Sequence, residues 1–394
     1  MKPNKSLPEP HDEAKARSAE LTTKIRKHLN RYQSLDFADY MRLALYTPNL
    51  GYYTNGLPKI GAQGDFITAP EISPLFSRCI ARQAQQVLAQ LSESNIVEFG
   101  AGRGVMARDI LLELEQLGQP LDHYYIIELS ADLKQTQRET LQSLPPTLFS
   151  KVVWLDSLPS LPMQAVVLAN EVLDAMPVVR LRLEPARQAQ GFVHWFEDRQ
   201  QFDWDFQPIT DPTLQKIANQ ILRQIGEPPE RGYETEVNLN IEPWLKSISD
   251  FLQAGLVLLI DYGYPRQEYY QPHRHMGTLR CHYQHRAHSN PFFYPGLQDI
   301  TAHVDFTAVA EAAFNAQFKV AGYTTQAHFL MGAGLLDIIE DPNRPVLEQL
   351  KLAQQIKTLT LPDEMGENFK VIALSKQLDL ALIGFKMRDL RRQL

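Results

Sequence analysis

The sequence predicts an α/β fold, a mostly parallel, doubly wound sheet whose ligand lies above the carboxyl ends of its strands. Two observations carry this. Short apolar runs alternate with amphipathic helical patterns between Asn95 and Asn170, and a glycine-rich turn joins the first run to the first helix.

In chain order, residues 1 to about 15 read as a disordered tail, and Leu21, Ile25 and Leu29 mark a helix after it. From Asp36 to Phe66 the chain turns aromatic and then glycine-rich, a long surface loop. Thr68 and Glu71 stand at capping-box spacing with Pro70 in the first turn, so a helix should begin there and run to about Leu91. Strands follow at Asn95–Phe99, His123–Leu129, Lys151–Leu155 and Gln164–Asn170, with helices at Val105–Leu117 and from the second strand's end to Leu144. After Pro177 the runs VVRLRLE, GFVHWFED and QFDWDF alternate apolar and polar residues, as an antiparallel meander does. Helices are expected near 211–225 and 236–254, and a fifth sheet strand at Gly255–Tyr262. A helix near 305–316, a strand near 318–329, two helices and a final strand pair near 369–387 complete the order. The expected organisation is an N-terminal tail, helices and closing loop (1–90), a ligand-binding core (91–177), an insertion covering the carboxyl edge of the sheet (178–254), and the rest of the sheet (255–394) with a His-rich segment at 273–303.

Composition narrows the function. At 394 residues the chain is one large domain with insertions, or two domains. Hydrophobic residues make up 44% and charged residues 22%, which is globular. A net charge of −7 argues against a nucleic-acid partner, whose phosphates need a basic surface. Cys79 and Cys281 form no C-x-x-C pair, so a disulfide scaffold and a thiolate zinc site are both disfavoured and a reducing compartment fits. The apolar run Leu256–Ile260 falls far short of the roughly 20 residues of a membrane span. The first twenty residues lack a secretory apolar run and carry Glu9, Asp12 and Glu13, unlike a transit peptide, so the expected location is cytoplasmic.

The strongest local signal is VEFGAGRG: Glu98, Gly100, Gly102 and Gly104 between a strand and a helix. Glycine lets the backbone turn sharply and approach a ligand, and the helix N-terminus offers N–H groups to an anion. A dinucleotide site would place glycine at 105, where Val105 stands. The E-x-G-x-G-x-G form instead resembles motif I of class I S-adenosylmethionine-dependent methyltransferases, whose ligand presents a single carboxylate. Glu128 ends the second strand, where a carboxylate can accept from both ribose hydroxyls. Asp156 and Ser157 end the third, where the adenine amine needs an acceptor. The structural alternative for these acids is capping of the next helices.

The fourth strand ends in Asn170-Glu171-Val172-Leu173-Asp174, the corner that faces the reactive methyl in methyltransferases. Carboxylates there can grip a guanidinium in bidentate fashion and take its proton. Either Glu171 or Asp174 could instead cap the following helix. Asp261, in Asp261-Tyr262-Gly263 at the fifth strand's end, is a third candidate, with an Asx-type turn as its alternative.

Together and in order, GYYTNG…GDFITAPEIS, VEFGAGRG, ANEVLDAMPVVR, LLIDYGYP and GTLRCHYQHRAHSNPFFYPGLQDITAHVDF closely resemble the MidA-like family of methyltransferases, which includes the mitochondrial complex I assembly factor. The resemblance spans about residues 36–390. It implies a class I, Rossmann-like, seven-stranded methyltransferase sheet with an added helical and β substructure, and S-adenosylmethionine as cofactor. It also implies a protein substrate, since mitochondrial members methylate an arginine of a complex I subunit, forming symmetric dimethylarginine. Without a transit peptide the chain looks like a bacterial member. The segment holding Asp65, Thr68 and Glu71 should close over the cofactor. Six of the eleven histidines lie in 273–303. His282, His285 and His288 invite a metal site, but suitable partners are lacking and methyl transfer of this class needs no metal. A polar lid wall with Arg286, Asn290, Asp299 and Asp305 fits better, His303 and Asp305 being candidates for orienting substrate.

The leading expectation is therefore a protein arginine N-methyltransferase. An assembly chaperone that uses the cofactor only for structure, docking through Phe192, Trp195, Phe202 and Trp204, is one alternative. A small-molecule methyltransferase is the other.

Overall fold

The computed structural model describes residues 7–57, 67–340 and 345–394. It divides into two compact units.

The unit formed by Ile67–Leu173, Ile241–Arg266 and Val304–Leu394 contains the large sheet. Its strands are β1 (Asn95–Phe99), β2 (His123–Ile127), β3 (Val152–Leu155), β4 (Met163–Asn170), β5 (Leu252–Tyr264), β6 (Lys319–Thr325) and β7 (Phe369–Lys376). Among the described residues their order is β6-β7-β5-β4-β1-β2-β3, with the two-residue strand Val304–Asp305 pairing alongside β5. Only β7 runs against the others. β1 is buried at all five positions and β7 at seven of eight. Both faces are therefore covered, as a mostly parallel sheet requires. Val166, Leu168, Leu258, Ile260 and Val371 pack into one core with Ile80 and Val87 of the helix Pro74–Leu88 and Ile110 and Leu114 of the helix Val105–Gln116.

The other unit comprises residues up to Phe66, Asp174–Asn240 and Gln267–His303. Its antiparallel meander, Val179–Glu184, Arg187–Phe196 and Gln201–Pro208, forms as expected. Three aromatic residues of that meander contribute to a core, while Phe192 is half-buried. Phe202 is buried, Trp195 and Trp204 pack on the same cluster, and the Trp204 ring lies tilted against Phe37 with centroids 4.6 Å apart.

Several expected boundaries are corrected. A helix spans Asp12–Tyr32, so the tail is shorter than 15 residues, with His11 capping the Ala14 N–H at 3.3 Å. Phe37–Tyr46 is helical inside the expected loop because Asp36 caps the Asp39 N–H at 2.7 Å. The helix expected over 68–91 is broken at Ser73, which is extended and caps Leu75; Pro74 has no N–H to continue the first turn. In place of one helix over 236–254, Tyr233–Val237 pairs with Val179–Glu184 and the helix is Ile241–Phe251. The final strand pair is a single strand, β7, whose neighbours are β5 and β6; Ile383–Phe385 is a 3-10 turn. No helix among the described residues is long and apolar enough to cross a membrane.

Candidate functional site

Strand order reverses between β1 and β4, which is where doubly wound sheets open a crevice for ligands. The turn after β1 is built from three left-handed glycines, Gly100, Gly102 and Gly104, with φ of 62°, 53° and 82°. An L side chain resists that conformation. The turn is anchored by the Gly100 N–H on the Ile127 carbonyl at 3.0 Å. Space is also short: a Cβ on Gly104 would sit 3.2 Å from the Gln137 Cα, and one on Gly100 3.4 Å from Val172 Cγ2. The helix that follows, Val105–Gln116, has no side-chain cap, so its first N–H groups are left to an external acceptor. That donor set fits the carboxylate end of an amino-acid ligand.

Glu98 lies inside the sheet, 1% exposed, and accepts the Tyr124 hydroxyl at 2.7 Å. Burial, reinforced by the neighbouring Glu128, pushes its carboxyl up to about 7. Glu128 sits at the tip of β2, also buried. Its Oε1 accepts the Ser130 N–H at 2.9 Å and its Oε2 the Gln137 amide at 3.0 Å. Burial raises its pKa, and these donors oppose the shift. Asp156 and Ser157 are both exposed at the end of β3, and Asp156 pairs with Lys134, which lowers its pKa.

Asn170 and Glu171 end β4. Glu171 has φ 53°, a left-handed geometry unusual for a side-chain-bearing residue. Its N–H is held by the Ile260 carbonyl at 2.9 Å, and its Oε1 accepts the Asn170 amide at 3.1 Å. Asn170 Oδ1 is buried with no hydrogen bond among the described residues. Asp261 is fully buried, its oxygens accepting the N–H groups of Leu173 at 3.0 Å and Tyr262 at 2.9 Å. The Tyr262 bond is to the adjacent residue and the Gly263 N–H goes to the Asn368 carbonyl, so these bonds form no Asx turn; the Leu173 bond is a clamp across to the β4 corner. Asp174 is buried in the other unit, where its carbonyl accepts the Ala302 N–H at 3.0 Å.

Thr68 makes no side-chain cap, so the expected capping box is not formed. Glu71 instead meets Arg103 of the glycine turn at 3.2 Å. Asp65 lies outside the described residues. Asp305 caps the helix Phe306–Asn315 through the Thr307 and Ala308 N–H groups and meets Arg266 at 3.2 Å. In the other unit, the His303 N–H donates to Thr278 Oγ1 at 3.1 Å. His282 and His288 lie on paired strands, and burial lowers both, His288 to about 4. Sequence reasoning missed Tyr124, Gln137 and Trp154. The one trace of Gln137 was a polar residue on the inward side of the helix Ala131–Leu141.

Comparison with known proteins agrees with this geometry. The model of a family of S-adenosyl-L-methionine-dependent methyltransferases matches residues 79–324. A crystal structure from Burkholderia thailandensis bound to S-adenosyl-homocysteine is 40% identical with a TM-score of 0.93, covering 99% of this chain and 100% of that one. Among curated relatives, the protein named protein arginine methyltransferase NDUFAF7 homolog, mitochondrial, of Drosophila melanogaster is 27% identical over 95% of this chain and 89% of its own length. The protein arginine methyltransferase NDUFAF7 of Danio rerio is 28% identical, covering 92% and 90%.

Proposed function

Because the chain belongs to this family of S-adenosyl-L-methionine-dependent methyltransferases, we propose that it transfers the methyl group to an arginine of a partner protein. The observation that carries this is Glu171, held left-handed at the end of β4 beside Asn170. Strain of this kind survives only where the surroundings enforce it, and it concentrates at functional sites. The names of the curated relatives support arginine as the acceptor, and a respiratory complex subunit as the partner rests on the family resemblance alone.

The Gly102 N–H and the first N–H groups of the helix after the turn face the ligand carboxylate, those of Gly100 and Gly104 being taken by the Ile127 and Ala101 carbonyls, and the Asn170 Oδ1 offers an acceptor to its ammonium. Glu128 binds the ribose hydroxyls, while Glu98 supports the turn from within the sheet. Asp156 and Ser157 serve the adenine end, and Thr68 belongs to the segment leading toward the turn. The bound cofactor supplies an electrophilic methyl group; the protein's task is to orient the acceptor. Arginine is protonated at neutral pH, so its nitrogen becomes a nucleophile only as a proton leaves. The Glu171 carboxylate grips the guanidinium and takes that proton. Asp261 positions the corner by holding the Leu173 N–H.

The test is transfer of isotopically labelled methyl groups to proteins co-purifying with the chain, with methylated arginine read by mass spectrometry. Wild-type protein should label an arginine, and Gly102→Val and Glu171→Ala should not. Equal labelling by both variants would overturn the site assignment.

A further inference from the structure

We propose that Gln137 is the positioning residue that assembles the cofactor site, tying the glycine turn to the ribose-binding carboxylate with one amide group. The inference rests on the cofactor site described above and adds a residue that neither the sequence nor the comparisons single out.

Gln137 is fully buried on the helix Ala131–Leu141. Its Nε2 donates to the Gly102 carbonyl at 3.0 Å and to Glu128 Oε2 at 3.0 Å. Its Oε1 accepts the Trp154 indole N–H at 3.0 Å. An indole nitrogen can only donate, so Trp154 fixes which end of the amide faces it. Both amide hydrogens are thereby aimed at the turn and at the carboxylate. Three strand ends, those of β1, β2 and β3, thus converge on a single side chain.

Two chemical consequences follow. A buried carboxylate stays ionised only when donors replace its lost water, and Gln137 is one of the groups that oppose the burial shift of Glu128. Ionised, Glu128 can accept from a diol; protonated, it would present a donor of its own. The bond to the Gly102 carbonyl also holds the middle of the left-handed turn, so that its N–H groups keep their direction. Gly104 completes the fit. A Cβ there would sit 3.2 Å from the Gln137 Cα, so a side chain at 104 would press against the residue that holds the turn. Glutamine is required because glutamate would lose both donors and place a second negative charge against Glu128, while methionine fills the space with no donor at all.

Binding of S-adenosyl-homocysteine to the full chain, measured by titration calorimetry, tests this without any knowledge of the methyl acceptor. Gln137→Met and Gln137→Glu should each weaken binding at least tenfold. The ligand-free melting curve shows that the variant measured is folded, and two variants of similar volume guard against the loss of one. A double-variant cycle separates positioning from mere packing: in a Glu128→Gln background, Gln137→Met should cost less than in wild type, because the carboxylate it serves is gone and only the bond to the Gly102 carbonyl is left to lose. Binding within twofold of wild type for a folded Gln137→Met protein, or equal losses in both backgrounds, would overturn the inference. Failure of the wild-type protein to bind the ligand would instead defeat the cofactor site on which it rests.

Discussion

Tyr124 on β2 donates its hydroxyl to Glu98 on β1 at 2.7 Å, a carboxyl–phenol pair closed inside the sheet. Glu98 stands two residues before Gly100, so the pair lies at the base of the glycine turn. A carboxyl with a folded pKa of about 7 against an ordinary 4.5 keeps its proton in the native state across that interval, whereas the unfolded chain has already lost it. Stability from this group is therefore fully present below pH 4.5, declines as pH rises, and is gone above about 7. The change amounts to at most about 3 kcal/mol. Urea unfolding at a series of pH values should show a wild-type free energy falling across this window relative to Glu98→Gln, which cannot ionise. Parallel curves would mean that Glu98 does not titrate near neutrality.

The backbone at Glu171 makes a second prediction. A residue with a Cβ at φ 53° is strained by about 1 kcal/mol relative to glycine. Glu171→Gly should thus be more stable to denaturant than Glu171→Ala by about that amount, although both lose methyl transfer. Stability and activity would then move apart, the mark of a carboxylate kept for chemistry at the expense of the fold. Equal stability of the two variants would mean the turn relaxes and carries no strain.

Asp261 holds two backbone N–H groups with no solvent to replace it. Removing it in Asp261→Ala strands those donors and should cost about 3 kcal/mol, while Asp261→Asn keeps one acceptor and should cost about half as much. Thermal melts of the two variants read this directly. An Asp261→Ala protein melting like wild type would show that these bonds do not hold the corner.

The legibility of the site varied with how local its causes were. Gly100, Gly102 and Gly104 were readable because a left-handed turn leaves glycine as the ordinary choice, and the strand before and helix after them were marked by periodicity. The position of Glu128 at a strand end was readable too, but not its bonds to Ser130 and Gln137. Thr68 and Glu71 misled because their spacing satisfies a local capping rule, yet Ser73 and Pro74 break the helix and Glu71 turns to Arg103. Asp305 was read as a candidate for orienting substrate, and its cap on the next helix, a local role, went unread. The strand Tyr233–Val237 was missed because its pairing with Val179–Glu184 spans roughly fifty residues and leaves no short-range trace.

By itself the sequence determined the alternation of strand and helix, the glycine turn and the chemical type of its ligand, since these depend on residue-level preferences and on spacing along the chain. Tertiary structure alone decided which groups meet: that Gln137 reaches both Gly102 and Glu128, that Asp261 clamps Leu173, and that Glu98 faces Tyr124 in the sheet. The reason is physical. A preference belongs to one residue and its neighbours, whereas a buried hydrogen bond needs two groups that only packing brings together and that burial then obliges to pair.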